Sequence, residues 1–67
     1  MKNIVTAVEN YCIASGITVA EFERRCELGH GVVYQWKTRG NKPRIDTLVR
    51  IAAKTGKSIQ WWMKAAV

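Results

Sequence analysis

Apolar residues recur every three or four positions along most of this 67-residue chain, and no stretch alternates as a half-buried strand does. That spacing predicts five short helices. Over about residues 3 to 15 it places Ile4, Val8, Tyr11 and Cys12 on one face. Gly16 then offers a left-handed stop, with Ile17 free to pack back on the helix. Residues 18 to 21, T-V-A-E, read as a capping box. The Thr18 hydroxyl is placed to accept from the Glu21 amide, and the Glu21 carboxylate to reach back to the Thr18 amide. The helix opened there presents Val19, Phe22 and Cys26 together and is cut short by Gly29 and Gly31. A third helix of about six to eight residues is expected to begin near Gly29 or His30. It buries Val33 and Trp36 and leaves His30, Gly31, Tyr34 and Gln35 outward. Beyond Pro43, Ile45, Leu48, Ile51 and Ala52 share a stripe, and Gly56 ends it. Asp46 in its first turn and Lys54 in its last both match the helix dipole. Ser58 caps a final helix with Ile59, Trp62 and Met63 inward and Trp61 turned elsewhere.

The turn between the second and third helices is read as very tight, eased by Gly29. Such a turn forces the two helices to cross steeply, lets the others supply the core, and leaves one face of the third free. The expected fold is therefore all-α: one compact five-helix domain over residues 1–67, with a helix-turn-helix at its centre.

Composition narrows the function. Apolar residues make up 48% of the chain and include three tryptophans, which suffices for one small core. A domain of this size buries only about 60% of its unfolded surface, so modest stability is expected. No apolar run approaches the roughly 20 residues of a membrane span. Polar residues interrupt the N-terminal segment every few positions, against a signal peptide, and the expectation is a soluble cytoplasmic protein. Eleven Lys and Arg against five Asp and Glu give a net charge of +6. That excess favours a polyanionic partner, nucleic acid before an anionic membrane. In K-T-R-G-N-K-P-R, residues 37 to 44, Lys37, Arg39, Lys42 and Arg44 occur with no acid among them.

Catalysis finds little support. A Cys-His pair needs a cleft and an orienting third group. Zinc wants four ligands, whereas Cys12, Cys26 and His30 are three and lack a C-x-x-C spacing. G-H-G, residues 29 to 31, lacks the longer glycine pattern and the lysine of a phosphate loop. No enzyme activity, cofactor or metal is expected, and Cys12 and Cys26 are read as buried, reduced thiols.

Two strings carry a resemblance. T-V-A-E-F-E-R-R-C-E-L-G-H-G-V-V-Y-Q-W-K, followed by N-K-P-R-I-D-T-L-V-R-I-A-A-K-T-G-K-S-I-Q-W-W, resembles the phage Cro and lambda-repressor-like helix-turn-helix family. Phe22-Glu23 stands for the Leu-Glu pair of the second helix. His30-Gly31 stands for the residues that open the third, and Trp36 for its closing tryptophan. The most specific part is Pro43 through Ala52, and the likeness runs over about residues 4 to 63. The chain departs from the pattern at Glu27, where the family usually has glycine at a left-handed turn, a strain of about 1 kcal/mol. It departs also at Val19, often glutamine in the family, and at Gly31, where a base-reading side chain commonly projects.

The resemblance implies a small DNA-binding transcriptional regulator that occupies an operator with its third helix in the major groove. His30, Gly31, Val32 and Gln35 fall on the base-reading positions, and Gln35 suits bidentate bonding to adenine. Thr18, Tyr34, Lys37, Arg39, Asn41, Lys42 and Arg44 fall where phosphates are held. A homodimer on double-stranded DNA is implied, weak and assisted by the DNA, with Trp61 and the tail to Val67 as its contact. The alternative is a protein-interaction module on the same scaffold, an anti-repressor or repressor modulator, motivated by Gly31 and Val19.

Overall fold

Asn3 opens the first helix: its side-chain oxygen accepts from the Thr6 amide at 2.9 Å. The computed structural model describes residues 3–66, and among them there are five helices and no strand. Helix α1 (Ile4–Ser15) ends at Gly16, whose φ of 69° turns the chain so that the Ile17 amide donates to the Cys12 carbonyl. Helix α2 (Val19–Arg25) starts at Thr18, whose hydroxyl accepts from the Glu21 amide at 3.1 Å. The other half of the expected capping box does not form. The Glu21 carboxylate pairs instead with the guanidinium groups of Arg24 and Arg25, three and four residues on. Ionised donors on the same helix face compete well against one backbone amide.

Helices α3 (Val32–Arg39), α4 (Ile45–Thr55) and α5 (Ile59–Ala66) complete the chain. The core centres on Trp62, fully buried together with Val8, Phe22, Cys26 and Ile51. The rings of Tyr11 and Phe22 each lie 6.0 Å from that of Trp62, and 5.9 Å from one another. The Trp62 indole N–H donates to the Thr55 hydroxyl at 3.0 Å, which donates in turn to the Ile51 carbonyl at 2.8 Å. A buried indole is tolerated because its one polar group is satisfied in this way.

Two residues assigned inward lie outside. Ile45 is 58% exposed and Met63 39% exposed. Helix α4 turns Leu48 and Ile51 to the core, which leaves its first residue on the flank. Met63 directly follows Trp62, so it sits about 100° further round α5, and Ala65 closes the inner face in its place. Trp36 and Trp62 are core residues as expected, whereas Trp61 is 41% exposed.

Candidate nucleic-acid interface

The chain between α2 and α3 is longer than a tight turn. Residues 26 to 31 lie outside both helices. Glu27 takes φ 60°, the only positive φ at a non-glycine among the described residues. This is the left-handed position that the resemblance assigned to it, and it costs about 1 kcal/mol. Helix α4 steadies it from outside: Arg50 donates to the Glu27 carbonyl at 3.3 Å, and the Lys54 ammonium lies 3.9 Å from its carboxylate.

Helix α3 begins at Val32, later than the expected start at Gly29 or His30. The cause is Gly31, whose φ of 84° is incompatible with a helical residue and makes it the cap instead. Gly29 has no positive φ, so the conformational demand attributed to it falls on Gly31. A Cβ added at Gly31 would meet nothing within 4 Å. Backbone conformation, not lack of room, therefore accounts for the missing side chain.

Gly31 cannot cap α3 with a side chain. Glu23 does it from α2. Glu23 is 4% exposed, and its two carboxylate oxygens accept from the Gly31 amide at 3.2 Å and the Val33 amide at 3.0 Å. Sequence reasoning gave Glu23 no such part. The available signal was its phase: Val19, Glu23 and Cys26 share one stripe of α2, and an acid on an inward stripe needs internal donors.

With Val33 and Trp36 buried, the helical period turns Tyr34, Gln35 and Thr38 outward together, and all three are exposed. Thr38 was missed as part of this face; its hydroxyl donates to the Tyr34 carbonyl at 3.0 Å. Of the expected base readers, Gln35 is exposed on the helix and His30 is exposed in the turn that leads into it. Val32 is half-buried against the core, and Gly31 is the half-buried cap.

The basic residues continue from that face. Lys37 and Arg39 lie in the last turn of α3, which Gly40 closes, and Asn41, Lys42 and Arg44 follow, all exposed. Arg44 comes within 4.0 Å of Asp46, both well exposed. Among the described residues, Lys37, Arg39 and Lys42 have no carboxylate within that distance. Thr18 is exposed at the start of α2, and while its oxygen accepts from Glu21 its hydroxyl proton remains available to donate.

Trp61 stands apart on the α1–α5 side. It meets Trp62 edge-on at 4.8 Å, carries the Lys57 ammonium 5.2 Å above its ring, and borders a groove with Thr6, Asn10 and Lys64. Val67, the other expected dimer residue, lies outside the described residues.

Cys12 and Cys26 are both reduced and buried. Burial pushes the Cys26 thiol up to about 11; Cys12 adds to the rise and Lys54 opposes it. Burial also raises Cys12, with a further contribution from Glu9. Thiols held protonated in this way are poor nucleophiles. Among the described residues no three His, Cys, Asp or Glu side chains gather as metal ligands, and no helix is long and apolar enough to cross a membrane.

A family model described as helix-turn-helix matches residues 8–62, which takes in α2, the turn and all of α3. No curated protein and no solved structure matches the chain.

Proposed function

The chain belongs to the helix-turn-helix family of the Cro and lambda-repressor type, a family of DNA-binding domains, and from that membership we propose a small sequence-specific transcriptional regulator that occupies an operator. Helix α3 enters the major groove, which is wide enough for one helix. One observation supports this most. The outward face of α3 carries Tyr34, Gln35 and Thr38, and it runs directly into Lys37, Arg39 and Lys42, which have no neighbouring carboxylate among the described residues.

Gln35 reads adenine through its amide, and His30 approaches a base edge from the lead-in turn. Val32 offers methyl groups to thymine, and Gly31 lets the backbone come close. Thr18, Tyr34, Lys37, Arg39, Asn41, Lys42 and Arg44 hold phosphates, which fixes register without reading sequence. The domain measures 24 × 23 × 22 Å, less than the roughly 34 Å of one DNA turn. One copy therefore spans a half-site, and a homodimer joined through the Trp61 face would cover the operator. Gly31 and Val19 motivated a protein-interaction role; the φ of 84° at Gly31 and the packing of Val19 against the core supply structural reasons for both.

Selection of bound duplexes from a random pool, followed by titration at two salt concentrations, tests the reading. An enriched site is expected, with affinity falling by about 10³–10⁵ between roughly 50 and 200 mM salt if some 6–10 phosphates are engaged. Binding that is undetectable even at low salt would overturn it.

A further inference from the structure

Glu23 is the one buried charged side chain among the described residues, and no DNA contact has been assigned to it. A carboxylate away from water is costly unless its oxygens are hydrogen-bonded. Here both oxygens are occupied, and by donors of one kind: N–H groups at the start of α3, which a helix leaves without intrahelical partners. The donors lie eight and ten residues along the chain, so the bonds bridge two helices and do not cap α2 itself.

Two parallel bonds to one planar group do more than one. A single bond lets the bonded helix pivot; two oxygens holding two amides fix both its start and its rotation about its own axis. Val33 carries the shorter bond, and Tyr34 and Gln35 follow it directly. Any rotation of α3 at Val33 therefore carries Gln35 with it. Side chains that read a partner need placement to within about 0.5 Å and 10–20°.

We propose that Glu23 is a positioning residue for DNA readout: its carboxylate sets the rotation of α3 against α2, and so the reach of Gln35 and His30 to base edges, without touching DNA itself. This rests on the DNA-binding reading above.

Glu23→Gln tests it with almost no change of volume. The amide keeps one acceptor oxygen but turns an N–H₂ toward the second backbone donor, so only one of the two bonds can survive. Affinities for the selected duplex and for a scrambled duplex of equal length are compared at one salt concentration. The proteins are wild type, Glu23→Gln, Gln35→Ala and the double variant, with helix content followed by circular dichroism. Glu23→Gln is expected to keep wild-type helix content and to bind the scrambled duplex within about twofold. It is expected to lose about tenfold on the selected site, within the range of one lost base contact. In the double variant Gln35→Ala should cost less than it does alone, because the glutamine is already misplaced.

An unchanged ratio of selected to scrambled affinity would overturn the inference. So would equal losses on both duplexes. Loss of the helical signal in Glu23→Gln would assign the carboxylate to stability alone and overturn it as well. If wild type binds neither duplex, the DNA-binding reading fails and this inference falls with it, an outcome that wild type alone distinguishes.

Discussion

Around Trp62 the domain is held by rings and alkyl groups, with Tyr11 and Phe22 each 6.0 Å away and Val8 and Ile51 fully buried. At the junction of α2 and α3 the tie is a carboxylate on two amides, beside two left-handed residues, Glu27 and Gly31. The two devices differ in what they specify. Apolar burial scales with area and is indifferent to direction, so the Trp62 cluster decides whether the chain folds. Hydrogen bonds fall away steeply with angle, so the Glu23 junction decides where α3 points. Stability and aim are thus set by different residues.

Four changes would break or sharpen this division. Trp62→Ala should be the most severe, costing about 3–5 kcal/mol. Domains of this length hold only about 3–10 kcal/mol in total, so much of the population should unfold in a urea titration. A variant within about 1 kcal/mol of wild type would contradict the central place given to Trp62.

Alkaline pH attacks the same core through Cys26. Its folded value of about 11 lies above the thiol's ordinary 9.0. The stability it contributes is therefore complete below pH 9 and is lost as pH rises through 11. Urea midpoints measured across that window should fall, and fall less in Cys26→Ala. Equal slopes in the two proteins would remove Cys26 from the account.

Glu27→Gly acts on the junction and should stabilise. It relieves left-handed strain of about 1 kcal/mol, against the loss of an exposed pairing with Lys54 that contributes little. The Arg50 bond goes to a backbone carbonyl and survives. A lower melting temperature would show that the Lys54 pair outweighs the strain.

Gln35→Ala should disturb folding least, by no more than about 0.5 kcal/mol, because the side chain is exposed. Its effect belongs to recognition: about 1–3 kcal/mol on the selected duplex, with nonspecific binding nearly unchanged. Equal losses on selected and scrambled duplexes would remove Gln35 from base reading.

Features governed by near neighbours in sequence were legible in advance. The Thr18 cap, the left-handed stop at Gly16, the helix end at Gly56, and the burial of Val33 and Trp36 all follow from residues within one or two turns. Errors came where nearby groups compete for one partner or where distant groups decide. Glu21 had a choice between an amide and two arginines, and short-range pattern could not rank them. Glu23 is satisfied by amides eight and ten residues away, which exist as donors only once α3 has formed. Helix ends were weakest, since the start at Val32 depends on the φ of Gly31 and not on hydrophobic period. At the candidate interface, Gln35 and the basic residues from Lys37 to Arg44 were singled out by residue type, and what the structure adds is that they are exposed. Thr38 was overlooked because it is neither charged nor an amide, although the period set by Val33 and Trp36 already placed it outward.

The outside capping of α3 has a consequence for which of its residues can be exchanged. A helix that caps itself must reserve a serine, threonine, aspartate or asparagine at its start. Here the acceptor comes from α2 and meets backbone amides, which every residue except proline provides. No outward residue of α3 is committed to starting the helix. His30, Tyr34, Gln35 and Thr38 can therefore be exchanged with little penalty to the start of α3 so long as Glu23 and Gly31 are kept.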